Sequence, residues 1–471
     1  MKNYWQKIAQ QPIRWAFYFV LMAVLVTNLL IHPWNRGDRV IASDVKGYYA
    51  YLPATFIYHD LTFAFLNDTS NPYREIQKKD IWYNLSDDGT PIIQYTSGMA
   101  ILYSPFFFVA HLGAKITGVP AHGYSMPYDI MLQVGAILYF IMGLWFLRRV
   151  LSLYFSEKTT AITLIAVTLG TNLLYYASKE AAMSHLFSFS FIALFIWLLL
   201  RWLDRPSWQN TIQLGLTTGI IILIRPSNVM IIALFGLMNI TRWSDLRERV
   251  LFLFKKYRQV LIMILAAFIV WIPQFLYWHA VTGQVFYNSY GGDVGFFWTD
   301  PEIFNILFSY RKGWLLYTPM MILALIGLIP LYKKNRGLFW SSLFISLATI
   351  YIFSSWCFWW FGGSFGSRPF IDYYAVFAIP MAACIEYNMK LRKKIWHRAI
   401  LVLVSILLLF NIFQIIQYRR GLIHYVSMTK EAYWGVFLKL KHPPNYESML
   451  KYPDYEGVIS RVKEKKEKKN R

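Results

Sequence analysis

Asp44 lies in the run Ser43-Asp44-Val45-Lys46-Gly47-Tyr48-Tyr49-Ala50-Tyr51-Leu52-Pro53-Ala54, a short way past the first apolar stretch, residues 15–31. A carboxylate there can take a proton from a hydroxyl, or simply cap a helix in a solvated loop. The aromatics that follow have helical spacing, so Tyr48, Tyr51 and Leu52 are expected on one face of a juxtamembrane helix. Four cations invite a second kind of chemistry. Arg225 interrupts a long apolar stretch at Arg225-Pro226-Ser227, and Arg311-Lys312 stands just before another apolar block. Arg368 closes the turn Gly362-Gly363-Ser364-Phe365-Gly366-Ser367-Arg368. Guanidinium and ammonium groups hold phosphate, and glycines let backbone approach a ligand closely. For Arg225 the competing reading is a snorkelling arginine at a hairpin tip. For Arg311 and Lys312 it is an interfacial anchor.

Other residues belong to the same chemistry. Lys179, Glu180 and His185 sit at one short junction, although a hydrogen-bonded helix-end role suits His185 equally well. Asp293 lies in a polar loop, and Trp359 and Gly363 belong to the aromatic and glycine-rich run 355–368. Tryptophans there serve either as a sugar platform or as an interfacial belt.

The elements that carry these residues follow from composition. The chain has 471 residues, 56% hydrophobic and 19% aromatic, with only 15% charged. Soluble domains run nearer a quarter charged, so an all-α polytopic transmembrane bundle is expected. The formal net charge of +22 does not signal a nucleic-acid partner, because its carriers sit between hydrocarbon-compatible blocks. Two cysteines, Cys357 and Cys384, make neither a disulfide framework nor a metal spacing. The first apolar block has no small-residue cleavage site before His32-Pro33-Trp34 and reads as a retained span.

Positive charge then orients the bundle. Lys2, Lys7 and Arg14, Arg148-Arg149 with Lys158, Arg201 with Arg205, the cluster over 242–258, Lys333-Lys334 with Arg336, and the cluster over 390–398 are all expected on the cytoplasmic side. That requires the block 98–116, with Pro105 and His111, to be an interfacial or re-entrant helix, leaving about eleven crossings. The expected organisation is a transmembrane domain over 1–416, with a first exterior loop over 33–97 and the interfacial helix 98–116. A basic tail over 417–471 falls on the exterior. Carboxylates, isolated cations, a glycine-rich turn and aromatics thus share one water–membrane boundary, as a lipid-linked anionic substrate with a sugar head would require.

The ordered set of motifs resembles the polytopic GT-C glycosyltransferases, which include protein mannosyltransferases and aminoarabinose transferases. The matching parts are Ser43-Asp44-Val45-Lys46-Gly47-Tyr48-Tyr49 after the first span, and Gln94-Tyr95-Thr96-Ser97-Gly98 running to Ser104-Pro105-Phe106. Gly215-Leu216-Thr217-Thr218-Gly219 leading to Leu223-Ile224-Arg225-Pro226 is similar to the family's "GLLLGLAALTRP" hairpin. Leu307-Phe308-Ser309-Tyr310-Arg311-Lys312-Gly313-Trp314 with Thr318-Pro319, and the run over 359–368, complete the set.

The resemblance implies transfer of a hexosyl or pentosyl group from a polyprenyl-phosphate donor to an acceptor hydroxyl, with inversion, at the outer face of a bacterial plasma membrane. It places the general base at Asp44. Arg225, Arg311, Lys312 and Arg368 would hold the donor phosphate, and Tyr48, Tyr49, Lys179, Glu180, His185, Asp293, Trp359 and Gly363 would contact substrate. The acceptor would be a lipid, glycan or protein, membrane lipids the surroundings, and glycan biosynthesis of the cell envelope the setting. The family often shows Asp-Glu where this chain has Asp44-Val45, so a second carboxylate, if the chemistry needs one, must come from elsewhere, Asp60 being the candidate. No cofactor is implied. A divalent metal is used by some members, but no acidic cluster here obliges one. Two other readings compete. A flippase or transporter of a lipid-linked sugar would be expected to show an inverted repeat, and none is evident. A polysaccharide polymerase or ligase would favour a large late exterior loop, whereas here the largest comes first.

Overall fold

The computed structural model describes residues 11–31, 39–78, 81, 83–86 and 89–470. Lys2, Lys7 and His32-Pro33-Trp34 lie outside the described residues.

Among the described residues, eleven apolar helices of 13 residues or more build an all-α bundle. They are α1 (Pro12–Ile31), α2 (Gly98–Thr117), α3 (Met126–Ser152), α4 (Glu157–Leu169), α5 (Ser184–Asp204), α6 (Trp208–Ile224), α7 (Tyr257–Thr282), α8 (Met321–Lys334), α9 (Arg336–Ser355), α10 (Tyr374–Lys390) and α11 (Lys394–Arg419). A further helix, α12 (Tyr455–Asn470), is charged and follows the bundle. The only strands among the described residues form a hairpin, Tyr83–Leu85 with Pro91–Ile93.

Among the described residues, eight helices are long and apolar enough to cross a membrane, α10 being counted with the turn before it. This differs from the expected eleven for a local reason. Gly170 and Thr318-Pro319 interrupt the apolar blocks over 160–177 and 314–331, and Arg225-Pro226 keeps those over 211–224 and 227–241 too short to cross; at the two prolines the ring removes a donor and clashes with the preceding turn. Conversely, α2 has the length of a span, with one end against the last residues of α6 and the other beside the segment that carries Asp44. Gly98 abuts Leu223 and Ile224, while Gly123, just beyond its far end, accepts a hydrogen bond from the Tyr49 hydroxyl at 2.5 Å.

Helices approach closely where residues are small. A Cβ on Gly327 of α8 would fall on the Pro380 carbonyl of α10, and one on Gly215 of α6 would meet the Met263 backbone of α7. Between α4 and α5 the chain keeps only one helical turn, Leu173–Tyr176, deep in the bundle, where stray carbonyls are costly unless satisfied. Asn411 of α11 donates to the carbonyls of Leu169 and Thr171 at 2.9 and 2.8 Å. Asn28 of α1 donates to Ala177 O at 3.1 Å and Gln133 of α3 to Ser178 O at 2.7 Å. Three helices thus fix the irregular segment that carries Lys179 and Glu180.

The clusters expected to be cytoplasmic share one end of the bundle. Arg148-Arg149, Arg201, Lys333-Lys334 and Lys390 fall at or near the C-terminal ends of α3, α5, α8 and α10, and Lys255 and Arg336 at or next to the starts of α7 and α9. The loops gather at the other end. The C-terminal segment joins them instead of trailing away. Lys463 pairs with Asp293 at 3.2 Å and Arg461 with Asp300, while Val462 is buried against Phe297 and Cys357.

Candidate active site

The loop end of the bundle holds a cleft of about 1740 Å³, lined by residues from several of the loops there. Asp44 is the first residue of a short helix, Asp44–Tyr49. Its loop is held from both sides. Arg39 forms an ion pair with Asp129 of α3 at 2.9 Å, and Ile41 N donates to the same carboxylate at 2.8 Å. Tyr51 donates to Tyr95 O at 2.6 Å. These bonds aim Asp44 into the cleft, where its Oδ2 lies 2.8 Å from Arg368 Nη2. The Asp44 side chain is 15% exposed and that of Arg368 14%.

Arg368 begins a 3-10 turn, Arg368–Tyr373. The glycine-rich run before it reverses direction with Phe361, Gly362 and Gly366 all at positive φ, a conformation that costs little only for glycine. Phe370 of the turn stacks on Trp314 at 4.1 Å, which fixes it against the bundle.

Arg225 follows the last residue of α6, and its placement depends on backbone contact. Thr96 donates to Leu223 O at 2.6 Å, and Gly98 leaves no room for a Cβ against Leu223 and Ile224. The guanidinium reaches the cleft with 20% of its side chain exposed and pairs with Asp372 at 3.3 Å. The Nε atoms of Arg225 and Arg368 are both buried with no hydrogen-bond partner among the described residues.

Glu180 supplies a second carboxylate to this cleft, accepting from the Tyr175 hydroxyl at 3.3 Å. Burial raises its carboxyl above the usual range; Arg368 draws it back down and Asp44 pushes it further up. Tyr48 packs its ring on Tyr95 at 4.5 Å, with its hydroxyl 3.2 Å from Ser184 Oγ. Burial and then the Asp44 charge raise its phenol. Tyr290 feels Arg225, Asp44 and Arg368 together. These two carboxylates, two guanidiniums and two phenols thus share this cleft.

The other residues singled out in the sequence divide cleanly. Lys179, Asp293 and Gly363 line the cleft with Asp44, Tyr48, Glu180, Arg225 and Arg368. Asp293 sits at the rim, paired with Lys463 of α12. Tyr49 points away, bonded to Gly123 O. His185 is fully buried behind Arg225, its Nδ1 2.7 Å from Asp372 Oδ1. Arg311 donates to Val426 O at 2.8 Å and Lys312 to the carbonyls of Ser364 and Tyr425. Neither cation is in the cleft lining, and burial holds the Lys312 amine well below its usual range, with Arg368 adding to the shift. Trp359 also lies outside the lining, packed on Trp360 at 5.7 Å. Asp60 is closed on its own loop, accepting from Thr62 and Phe65 N.

Sequence reading missed Asp372, Tyr290 and the tail residues Tyr455 and Ile459, which line or support the cleft. Asp372 had a signal, being a carboxylate at the head of an apolar block. The others had none. The carboxylates open to the cleft that could meet a metal ion are Asp44, Glu180 and Asp293, and no group of three or more His, Cys, Asp or Glu gathers among the described residues.

No family profile matches the sequence, and no curated protein matches it. Among solved structures, the apo oligosaccharyltransferase of Archaeoglobus fulgidus aligns over 93% of this chain with 12% identity and a TM-score of 0.49. The alignment spans about 61% of the length of that protein.

Proposed function

We propose that this chain is a GT-C-like glycosyltransferase that moves a sugar from a polyprenyl-phosphate donor to an acceptor hydroxyl at the outer face of a bacterial plasma membrane. The observation that carries the reading is the pairing of Asp44 with Arg368 beside Arg225 in one cleft. Two guanidiniums with donors to spare suit a phosphodiester and then the phosphate that leaves. Ile224, Trp278, Ile352, Phe353 and Trp356 give the same cleft an apolar wall, as a prenyl chain requires. The basic helix ends lie opposite the cleft, which by the charge rule supports an exterior cleft.

In this mechanism the donor phosphate competes with Asp44 for Arg368 and so frees the carboxylate. The acceptor oxygen attacks the anomeric carbon as the bond from that carbon to the phosphate oxygen breaks. The bonding electrons leave with the phosphate, stabilised by Arg368 and Arg225. The acceptor proton passes to Asp44. Attack opposite the leaving group inverts the anomeric centre. Glu180, held toward its neutral form by burial, is suited to hydrogen-bond a sugar hydroxyl.

The test is turnover of a labelled polyprenyl-phosphate sugar by the purified protein in lipid nanodiscs. Wild type should release polyprenyl phosphate and Asp44→Asn should not. Normal turnover by the Asp44→Asn protein defeats the mechanism.

A further inference from the structure

Behind Arg225 lies a closed polar network that the transfer step does not itself use. Asp372 is fully buried, and each of its oxygens has a partner. Oδ1 accepts from His185 Nδ1 at 2.7 Å. Oδ2 accepts from Asn228 Nδ2 at 3.1 Å and lies 3.3 Å from Arg225 Nε. With its Nδ1 proton committed to Asp372, His185 presents Nε2 as an acceptor, and Arg225 Nη1 faces it at 3.5 Å. Asn228 is itself tied to Ser188 of α5 at 3.0 Å. A buried carboxylate is tolerated only when it is paired and hydrogen-bonded, and here both conditions are met by residues that surround one side of a single guanidinium.

The backbone gives this network a direct link to the reacting end of the cleft. Arg368 and Asp372 belong to the same 3-10 turn. One end of that turn grips Asp44 and the other grips Arg225. The turn is braced by the stacking of Phe370 on Trp314, whose Nε1 in turn donates to Tyr374 at 3.3 Å.

We propose that Asp372 is the positioning residue for Arg225. Its carboxylate, oriented by His185 and Asn228, holds one edge of the guanidinium so that the remaining donors face the phosphate of a lipid-linked ligand. The inference rests on the phosphate-binding reading of Arg225. The turn then sets the spacing between the two guanidiniums, because the residue that holds Arg225 and the residue that holds Asp44 share one short piece of backbone.

The experiment measures binding of polyprenyl phosphate and of the uncharged polyprenol of equal length to the full chain in nanodiscs. Wild type should prefer the phosphate. Arg225→Ala should weaken phosphate binding by about tenfold, and Asp372→Asn by a similar factor. Polyprenol binding should not change in either. In an Arg225→Ala background, Asp372→Asn should cost nothing more, and Asp372→Glu in the wild-type background should recover part of the affinity. Where Asp372→Asn does not fold, Asn228→Ala, which leaves the charge but removes one donor, should show the same pattern at smaller size. The proposal is overturned if Asp372→Asn weakens both ligands alike, if it costs as much without Arg225 as with it, or if it leaves phosphate binding intact. A wild-type protein with no preference for the phosphate defeats the reading of the cleft itself. A wild-type preference that Arg225→Ala removes and Asp372→Asn spares defeats the positioning role alone.

Discussion

Asp44 and Arg368 meet at 2.8 Å across the cleft, joining the first loop to the turn that leads into α10. Each is mostly enclosed, so neither charge is cheaply left alone. Breaking an enclosed pair by removing one partner costs a few kcal/mol, about 3–5 when fully buried and less here because both are partly exposed. Asp44→Asn is expected to lower kcat by about 10²–10⁴-fold while leaving donor binding largely in place. Arg368→Ala should raise KM for the donor as well. Steady-state kinetics with both variants separates the two roles, and equal effects of both on KM alone would contradict the assignment.

Gly98 gives a test far from any charge. A Cβ there would lie 2.4 Å from the Leu223 carbonyl carbon and 2.5 Å from Ile224 N. Backbone cannot yield as a side-chain tip can, so the segment leading to Arg225 must shift. Gly98→Ala should destabilise the protein by about 1–3 kcal/mol and weaken donor binding. Thermal unfolding together with donor titration reads both, and an unchanged donor affinity would show that Arg225 does not depend on this contact.

Glu180 makes stability depend on pH. Its folded-state value is raised, chiefly by burial, so the fold favours the protonated form. That contribution is present in full below the unfolded glutamate value of about 4.3. It is lost as pH climbs through the raised value. Glu180→Gln cannot ionise, so its advantage over wild type should grow as pH rises from about 4 to about 8. Parallel melting curves for the two proteins across that range would refute the burial argument.

The C-terminal helix offers a contrast between exposed charge and buried surface. Lys463–Asp293 and Arg461–Asp300 are pairs between well-exposed side chains, each worth about 0–1 kcal/mol. Val462 is 3% exposed. Lys463→Ala should therefore leave α12 docked, whereas Val462→Asp should release it. Hydrogen exchange over 455–470 is the readout, with protection kept in the first variant and lost in the second.

A fifth prediction concerns the irregular segment that carries Glu180. Asn411→Leu removes the donor to the Leu169 and Thr171 carbonyls. Buried unsatisfied groups cost about 1–3 kcal/mol each. The variant should melt earlier than wild type and lose turnover with it, and Asn411→Gln should retain more of both than Asn411→Leu.

Much of this was legible in one dimension. Apolar blocks of helical length announced a bundle, and the placement of Lys and Arg separated its two ends. The motif around Asp44 and the isolated Arg225 and Arg368 drew notice because charge beside hydrocarbon is costly and needs a reason. The same signal was ambiguous for Arg311 and Lys312. Both break the charge pattern, yet Lys312 donates to the Ser364 and Tyr425 carbonyls and Arg311 to the Val426 carbonyl. Sequence cannot tell a cation that waits for a ligand from one that satisfies stray carbonyls, because the difference lies in the partner.

What the sequence determined by itself was local or summed over neighbours along the chain: helix, loop, apolar face, and the sign of charge at each helix end. What only the tertiary structure decided was pairing. Glu180 instead of Asp60 joins Asp44 in the cleft, Asp372 reaches Arg225 and His185, and a basic tail becomes part of the cleft wall. Each of these joins residues far apart in the chain, and their energies depend on distance and burial, which composition and spacing do not encode.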